Sequence, residues 1–398
     1  MKDIVIIGAG PAGLTTAITA AKHGKKVTII EGNNKCGKKL LITGSGKCNY
    51  FNEDQNIMHY HTSSKEDLNN LINKKNINKV LNFFDTLGIV PNIKNGYYYP
   101  STNEAITIYN ALIYEAKRLN IEIIYNTKIT EIIKKDFFLL NPNKENIKTK
   151  KLVIASGSKA APKTGSDGSG YNLAKALNHT IIEPKPGLVG LKGNETYFKK
   201  WSGIRTDVIL THYEDDKFIK KEKGNIQLTD YGISGIVTFN LSSYIARNID
   251  KHKEIIKINF IPWVKESAYT WLKKQSNKIN CPIKETLERF INYKLADIII
   301  KKSNIKTNSF SKLKEADFKN LVYNLTNFEI EIINVNSFEK AQICSGGVSL
   351  DEINLNTLES KKIKNLFFAG EIIDIDGDCG GYNLTNAWID GIVVGKSL

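Results

Sequence analysis

The chain has 398 residues, of which 41% are hydrophobic and 24% charged; this composition predicts a globular protein of two or three domains and excludes disordered and fibrous classes. No apolar run approaches the roughly 20 residues that cross a bilayer, and the first predicted strand starts at Lys2, so we expect a cytoplasmic protein with no membrane association and no signal or transit peptide. The 56 Lys and Arg residues against 41 Asp and Glu residues give a net charge of +15, which permits a polyanionic partner.

The first predicted elements form a βαβ unit. Lys2–Ile7 is a short apolar strand that ends in a glycine turn, Ala12–His23 is a helix, and Val27–Ile30 is the next strand. Gly32–Asn52 is rich in Gly, Lys and Asn, as expected of a functional loop. The clearest elements that follow are the helix Ile106–Leu119 and the strands Ile121–Tyr125, Lys128–Ile133 and Lys151–Ala155.

The pattern changes near Pro184–Gly187. From Leu188 to Phe260, short β-rich runs alternate with Gly, Asn and Asp and no long helix is predicted, which is typical of a β-barrel or sandwich. An α/β domain therefore begins and ends the chain and encloses an insert of about 150 residues. The later predictions are basic helices over Lys265–Phe318, a glycine-rich turn over Ile343–Val348, a buried strand over Leu366–Ala369 and a last helix over Asn383–Lys396.

The excess positive charge is concentrated in one part of the insert. Lys251–Lys319 holds 16 basic and 7 acidic residues, and so carries +9 of the net +15. Such a stretch is a candidate nucleic-acid surface, because neutralising phosphates is the main source of nucleic-acid affinity. The alternative is that lysine is abundant in an Asn/Ile/Lys-rich chain because of biased codon usage.

Neither the cysteines nor the histidines show metal-ligand spacing. No Cys-x-x-Cys pair occurs among the five cysteines, so we predict reduced thiols, no disulfide framework and no metal site. We expect most of the six histidines to be solvated. The residues concerned are Cys36, Cys48, Cys281, Cys344 and Cys379, and His23, His59, His61, His179, His212 and His252.

The strongest short motif is the glycine turn Gly8-Ala9-Gly10-Pro11-Ala12-Gly13, which follows the first strand and opens the first helix. Gly8 permits a tight turn, Gly10 lets the backbone approach a pyrophosphate, and Gly13 lets helix and strand pack closely. Glu31 ends the second strand, where a carboxylate accepts the ribose hydroxyls of an adenosine and disfavours a 2′-phosphate. The motif predicts a dinucleotide, with a tight turn without ligand as the alternative, but it does not separate FAD from NAD.

The end of the chain favours FAD. In two-dinucleotide-type FAD folds, a late strand, an acid, a glycine-rich turn and a helix return to the flavin, and residues 367–371 followed by 377–384 fit that order. Glu371 is then placed to bond the ribityl chain. Amides near Asn383 are placed to stabilise negative charge at flavin N1 and O2. The alternative is a glycine-rich loop before an ordinary helix.

Longer motifs carry a family resemblance. Residues 37–49 with Asn52 resemble the signature G-R-K-L-L-I-S-G-G-G-R-C-N-x-T-N of the BaiN/YhiN-like family of bacterial FAD flavoproteins. Lysine stands where arginine is usual at Lys38 and Lys47, and so does not offer the bidentate arginine fork; Ser45 and Phe51 replace glycine and threonine. Further similar segments are 155–157, 164–171, 345–348, 359–361 and 370–384.

The resemblance implies an α/β fold class: a discontinuous Rossmann-like FAD-binding domain with an inserted β-barrel and a helical subdomain. We predict the FAD-binding domain over 1–187 and 343–398, the barrel over 188–262 and 320–342, and the basic helical subdomain over 263–319. The predicted FAD-binding residues are Gly8, Ala9, Gly10, Pro11, Ala12, Gly13, Glu31, Gly32, Lys38, Lys39, Thr43, Gly44, Ser45, Gly46, Ala155, Ser156, Gly157, Gly370, Glu371, Asp378, Gly380, Gly381, Tyr382, Asn383 and Leu384.

The resemblance also implies an oxidoreductase in which NADH or NADPH, docking transiently, reduces the flavin, and the flavin then reduces a polarised C=C bond. It implies two substrate classes: a uracil base in ribosomal RNA, reduced to dihydrouridine, and a small unsaturated keto compound such as a bile-acid intermediate. The basic insert favours ribosomal RNA. A non-reductive RNA-binding flavoprotein is a further alternative, and the choice of nicotinamide and the oligomeric state stay open.

Cys48 is the predicted proton donor. In the family resemblance its loop lies at the isoalloxazine, so the thiol is placed to protonate the carbon next to the one that receives hydride. The alternative is a small packing residue in a tight loop. Lys47 and Asn49 are candidates for orienting a carbonyl. The aromatic run Tyr97–Tyr99 either stacks on a ring or, as we prefer, forms a cluster at a strand edge.

Overall fold

The computed structural model describes residues 1–278 and 281–398. The strands are β1 (Lys2–Ile7), β2 (Val27–Ile30), β3 (Phe51–Asn52), β4 (Tyr60–His61), β5 (Pro91–Lys94), β6 (Tyr97–Pro100), β7 (Glu122–Ile124), β8 (Ile132–Lys134), β9 (Phe138–Leu140), β10 (Ile147–Ile154), β11 (Ile181–Gly187), β12 (Leu191–Lys192), β13 (Arg205–Glu214), β14 (Lys217–Thr229), β15 (Gly232–Ser234), β16 (Glu254–Asn259), β17 (Phe328–Ile332), β18 (Asn334–Val335), β19 (Ile343–Val348), β20 (Leu366–Phe368) and β21 (Asp376–Gly377). The helices are α1 (Pro11–Lys22), α2 (Lys74–Thr86), α3 (Ala105–Arg118), α4 (Ser169–Ala176), α5 (Phe198–Trp201), α6 (Ile236–Asn248), α7 (Ala268–Lys278), α8 (Ile283–Leu287), α9 (Tyr293–Lys302), α10 (Glu315–Thr326) and α11 (Tyr382–Ser397).

The chain divides into two compact units, Met1–Gly187 with Phe338–Leu398, and Leu188–Ser337. The first unit is built on a seven-stranded sheet in the order β7-β2-β1-β10-β9-β8, with β20 also paired to β10. Strands β7, β2, β1, β10 and β20 run parallel, whereas β9 and β8 extend the sheet antiparallel. The apolar runs of β1 and β2 are buried almost throughout, as expected of parallel strands covered on both faces.

Helices α1 and α11 pack closely in the first unit because α11 carries glycines where they meet. A Cβ at Gly391 would lie 2.6 Å from Thr15 Cβ, and one at Gly395 would lie 2.5 Å from Thr19 Cβ. Helix α1 begins with a proline at its first position, where the missing N–H has no partner to lose. No helix among the described residues has both the length and the apolarity to cross a membrane.

The second unit combines an antiparallel sheet with helices. Its seven strands have the order β17-β16-β13-β14-β15-β12-β18, and the two strands at the ends of this order are separated only by Ile333. Helices α7 to α10 lie between β16 and β17 in the chain.

The predicted strands Lys2–Ile7 and Val27–Ile30 of the first unit are confirmed at these bounds.

Three local predictions are wrong. The insert holds the 13-residue helix α6 where no long helix was expected, because its β-branched and aromatic residues resemble strands. Its apolar face follows helical spacing, since Val237, Leu241 and Ile245 are all buried. Residues 343–348 form the buried strand β19, paired with β11, rather than a turn. The helical stretch continues beyond residue 319 to Thr326.

Candidate flavin site

The glycine turn after β1 packs as the motif predicts. Gly8 has φ +103°, and a Cβ there would lie 2.5 Å from the carbonyl oxygen of Ala155. A Cβ at Gly13 would lie 2.0 Å from the carbonyl oxygen of Gly8. Both positions therefore require glycine for the fold itself, independent of any ligand.

Gly10 differs from its neighbours in the turn. A Cβ at Gly10 would meet no atom of the chain within 4 Å, so this position faces open space. Helix α1 begins directly after it, without a capping side chain and without an acidic residue in its first turn. Its free N–H groups and positive dipole end suit an anionic group. The turn fits a pyrophosphate at Gly10, beside Ala9, Pro11 and Ala12.

Glu31 is held at the end of β2 by the same turn. Its Oε2 accepts a hydrogen bond from the backbone N–H of Ala9 at 2.9 Å, and its Oε1 accepts from the backbone N and side-chain Nδ2 of Asn33, both at 2.8 Å. Lys38 Nζ donates to Asn33 Oδ1 at 3.1 Å. Glu31 is 8% exposed, and so presents a fixed carboxylate next to Gly32 that suits ribose hydroxyls.

We expect Glu31→Ala to weaken FAD binding by roughly 10- to 100-fold, since a charge-assisted hydrogen bond contributes about 1.5–3 kcal/mol. The rate of flavin reduction should not change, because the adenosine end is remote from the reacting ring. Equilibrium titration of apoprotein with FAD measures the effect, and Glu31→Gln, which keeps an acceptor for Ala9, should fall between. An unchanged dissociation constant with an altered reduction rate would contradict this placement.

The loop of the family signature has an unusual backbone. A short 3₁₀ segment over Leu40–Gly46 is interrupted at Thr43, which is extended, and at Gly44 and Ser45, which are left-handed. Cys48 is left-handed as well, with φ +55°, and its N–H donates to the carbonyl oxygen of Thr43 at 3.0 Å. A non-glycine residue in this region costs energy and is held by its surroundings.

The three predicted catalytic residues of this loop have different surroundings. The Cys48 side chain is fully buried, and burial raises the pKa of its thiol to about 12, so the thiol stays protonated. Lys47 is exposed. Asn49 Oδ1 is buried without a hydrogen-bond partner among the described residues, and it is the kind of acceptor that a bound cofactor or substrate satisfies.

The segment after β10 presents another buried group without a partner. Ser156 Oγ is buried and makes no hydrogen bond within the described part of the chain. A Cβ at Gly170 would lie 1.9 Å from this oxygen, so α4 approaches it closely. Gly157 has φ +76° and, together with Ala155, continues the turn at the carboxyl end of the parallel strands, where ligands bind in open α/β sheets.

The segment after β20 is tied to the signature loop. Lys39 Nζ lies 2.6 Å from Glu371 Oε2, and both side chains are 20% exposed. Ser158 Oγ donates to the same carboxylate oxygen at 3.3 Å. The backbone N–H of Gly370 donates to Asp390 Oδ2 on α11 at 2.8 Å. The ion pair therefore joins two predicted FAD-binding residues that lie far apart in the sequence.

The turn before α11 is fixed by side-chain to backbone hydrogen bonds. Asn383 accepts from the N–H of Gly377 at 2.8 Å and donates to its carbonyl oxygen at 2.7 Å. Asn52 Nδ2 donates to the carbonyl oxygen of Gly380 at 3.0 Å. Gly381, with φ +95°, precedes Tyr382, and no side chain caps the helix. The first amides of α11, up to Leu384, are thus available for a negatively charged group.

The aromatic run forms strand β6 and lies beside these loops. The Tyr98 ring packs on Phe51 with centroids 5.1 Å apart. The rings on the opposite face of the strand turn to the loops: Tyr97 Cε1 would be 2.9 Å from a Cβ at Gly380, and Tyr99 Cε1 4.0 Å from one at Gly44. The sequence favoured a strand-edge cluster over ring stacking for this run, and two of its three rings lie beside the loops of the site.

The prediction that most histidines are solvated is wrong. Only His23 and His252 are exposed. His179 and His212 are buried and bond to Ser360 and Glu254, respectively. The remaining two histidines, His59 and His61, are partly exposed and both contact the carboxylate of Asp378. Among the described residues no group of His, Cys, Asp and Glu has the arrangement of a metal site, and all five cysteines are free thiols.

The parallel sheet and the glycine turn between β1 and α1 define the chain as a Rossmann-type dinucleotide-binding α/β protein. The chain belongs to the family described as "HI0933-like protein Rossmann domain", whose model matches residues 2–397. This confirms the resemblance drawn from the sequence motifs. Similar proteins identify the activity of this family as flavin-dependent oxidoreduction, and the chain is an enzyme of that class.

Three relatives span nearly the whole chain. The 3-dehydro-bile acid delta(4,6)-reductase of Clostridium scindens is 33% identical, over 100% of this chain and 99% of that protein. The ribosomal RNA dihydrouridine synthase of Escherichia coli is 26% identical over 97% of this chain and 95% of its own length. The ribosomal RNA dihydrouridine synthase of Haemophilus influenzae is 26% identical over 100% and 98%.

Proposed function

We propose that the protein uses FAD and NADH or NADPH to reduce a polarised C=C bond, and that its substrate is uridine in ribosomal RNA. FAD, when bound, supplies the hydride-transferring atom N5. The residues that would hold it are those of the glycine turn, Glu31, the Lys39–Glu371 pair and the start of α11. The open space at Gly10 and the unpartnered oxygens of Asn49 and Ser156 support this fit.

The observation that carries the substrate is the charge on helices α7 to α10. Some lysines there form ion pairs, such as Lys274 with Glu266 at 2.7 Å and Lys284 with Asp297 at 2.8 Å. Others are exposed or half-exposed and have no acidic partner within 4 Å among the described residues. Tyr293, beside one of them, is 58% exposed and offers a ring on which a base can stack. The cations without a partner include Arg289, Lys294, Lys301, Lys312 and Lys314.

We expect replacement of four of these lysines by glutamine to weaken ribosomal RNA binding and to reduce its salt dependence. Each phosphate contact contributes about 0.7–0.9 to the slope of log affinity against log salt, so loss of four contacts should lower the slope by roughly 3. FAD content and NADH oxidation should not change. The variant is Lys294→Gln, Lys301→Gln, Lys312→Gln and Lys314→Gln, assayed by filter binding at several salt concentrations.

A charge-matched control separates a local surface from a general effect of net charge. Four exposed lysines of the first unit, Lys25, Lys26, Lys117 and Lys175, are replaced by glutamine in the same way. This control should bind RNA almost as the unmodified protein does. Equal losses in the two variants would contradict an RNA surface on helices α7 to α10.

Cys48 is the proposed proton donor to the carbon next to the one that receives hydride. Burial raises the pKa of its thiol to about 12 and so keeps it protonated at rest, which is the state that a donor to a strongly basic carbon centre needs. Asn49, through its Nδ2 amide, and the exposed Lys47, through its ammonium group, are the proposed donors that orient a carbonyl.

We expect Cys48→Ala to slow reduction of the C=C bond by about 10²- to 10⁴-fold, the usual contribution of a positioned acid. Reduction of the bound flavin by NADH or NADPH should keep its rate, because no proton donor to substrate acts in that step. Stopped-flow absorbance under anaerobic conditions measures both half-reactions. Cys36→Ala, at another buried thiol, should change neither; equal substrate reduction by both variants would leave Cys48 a packing residue.

A second candidate substrate is a small unsaturated keto compound such as a bile-acid intermediate. The 33% identity to a bile acid reductase over the full chain favours it. Turnover of such a substrate should be almost indifferent to salt, whereas RNA reduction should fall steeply with salt. Anaerobic flavin bleaching by NADH, followed by reoxidation with either substrate, also distinguishes a reductase from a non-reductive RNA-binding flavoprotein.

The second unit supports a further structural proposal. Strands β17 and β18 are consecutive in the chain but stand at opposite ends of the strand order, where they pair with β16 and β12, respectively, as they would in a closed barrel. We propose that the insert is a β-barrel with α7 to α10 as its helical subdomain, and that the enzyme acts in the cytoplasm, where ribosomal RNA is found.

A further inference from the structure

A row of acidic and imidazole side chains leads from the surface of the first unit to the turn before α11. Asp54 Oδ2 lies 3.2 Å from His59 Nε2. His59 Nδ1 lies 3.0 Å from Asp378 Oδ2, and Asp378 Oδ1 lies 3.0 Å from His61 Nε2. The side chain of Asp54 is 66% exposed and that of Asp378 only 6%. The row therefore connects solvent with a buried carboxylate.

The fold fixes this arrangement through a short pair of strands. β4 pairs antiparallel with β21, with His61 opposite Asp376, and the N–H of Asp378 donates to the carbonyl oxygen of His59 at 2.9 Å. Residues two apart on an extended segment share a face, so both imidazoles reach the same carboxylate. The His59 ring is also stacked on Tyr382, the first residue of α11, with centroids 4.5 Å apart.

The two tyrosine hydroxyls beside the row stay protonated near neutral pH. Burial raises the pKa of Tyr382, assisted by the charges of Asp54, Tyr97 and Asp378, and burial raises the pKa of Tyr60. Asp374, from the facing segment, accepts from the backbone N–H of Ser63 at 2.9 Å, and Asp376 lies opposite His61. Imidazole is the side chain suited to proton exchange between pH 5 and 8.

We propose that His59, Asp378 and His61, here called the imidazole cluster, take up the proton that accompanies reduction of the flavin. This rests on the proposed function, because it needs a flavin whose pyrimidine ring faces the start of α11. With FAD bound, hydride from the nicotinamide would bring two electrons and one proton to the flavin, leave oxidised nicotinamide, and add one negative charge to the flavin. The cluster gains one proton from solvent. When hydride leaves for the substrate, Cys48 gives its proton to the second carbon, the cluster releases its proton to solvent and Cys48 regains one from solvent, so the cycle takes one proton from solvent in total.

The test is the pH dependence of the flavin midpoint potential between pH 5.5 and 8.5. For a two-electron couple, each proton taken up shifts the potential by about 30 mV per pH unit. The double variant His59→Gln, His61→Gln should have a slope shallower by up to that amount than the unmodified holoprotein. His252→Gln is the control, since His252 pairs with Asp215 at 2.7 Å in the second unit; its slope should not change. Equal slopes in the double variant and the unmodified protein would overturn the proposal.

A second measurement does not depend on the double variant retaining FAD. A pH indicator in weakly buffered solution counts the protons taken up when the holoprotein is reduced by NADH at pH 7. The unmodified protein should take up a proton beyond the hydride, and His61→Gln should take up less than half as much. No uptake, or equal uptake by both proteins, would overturn the proposal. Failure of the proposed function is seen separately, as absence of FAD from the purified protein or absence of C=C reduction.

Discussion

Gly10→Val should yield a folded protein that does not bind FAD. A Cβ at Gly10 meets no protein atom within 4 Å, so the side chain starts in open space and we expect the fold to be kept. It would occupy the space at the N-terminus of α1 that the pyrophosphate needs. We expect a colourless protein with an unchanged circular dichroism spectrum and a dissociation constant for FAD raised at least about 10³-fold.

Gly13→Val is the matched comparison. A Cβ at Gly13 would lie 2.0 Å from the carbonyl oxygen of Gly8, so this variant should be destabilised whether or not FAD is present. The pair separates loss of ligand from loss of fold. Unchanged affinity for FAD in a folded Gly10→Val protein would contradict the placement of the cofactor at this turn.

Asp390→Asn should make the protein more stable than the unmodified chain at alkaline pH. Asp390 is fully buried on α11, where it accepts a hydrogen bond from the N–H of Gly370, and burial raises the pKa of its carboxyl to about 8. Because the pKa in the folded state lies above that in the unfolded state, the stabilising contribution is complete below about pH 4. It is lost as the pH rises through 8.

The size of this effect follows from the difference between the two pKa values. The pKa of the Asp390 carboxyl is near 3.8 in the unfolded protein and about 8 in the folded protein. The protein therefore loses on the order of 5 kcal/mol of folding free energy as the pH rises from about 4 to about 8. Asparagine keeps an acceptor for Gly370 and does not ionise. Urea unfolding at pH 5 and pH 8.5 measures the difference. Asp136→Asn, at an exposed carboxyl, is the control; an equal pH dependence in the Asp390→Asn and unmodified proteins would contradict the assignment.

The first unit could be predicted well because its signals are local. The run Lys2–Ile7 ends in four consecutive apolar residues, and Pro11 marks the start of α1, so strand and helix are fixed by neighbouring residues. Helix α6 could not be predicted in the same way. Its residues favour strands, and its helical form depends on the burial of Val237, Leu241 and Ile245 by distant parts of the unit.

The residues of the candidate site likewise fall into those that the sequence could predict and those that it could not. The glycine turn and Glu31 follow a spacing that is visible in the sequence. The imidazole cluster could not be predicted in this way. His59 and His61 are separated from Asp378 by more than 300 residues, and they meet it only through the pairing of β4 with β21. The same holds for the tyrosine rings of β6, whose neighbours Gly44 and Gly380 belong to two different loops.

Mass-spectrometric mapping of ribosomal RNA tests the proposed activity most directly. RNA from cells that contain the protein is compared with RNA from a strain in which its gene is deleted, and with RNA from that strain carrying either the unmodified gene or the Gly10→Val form. We predict a uridine that is heavier by two hydrogen atoms, lost on deletion, restored by the unmodified gene and not restored by Gly10→Val. Identical maps in all four strains, together with salt-insensitive reduction of a small enone by the purified protein, would contradict ribosomal RNA as the substrate.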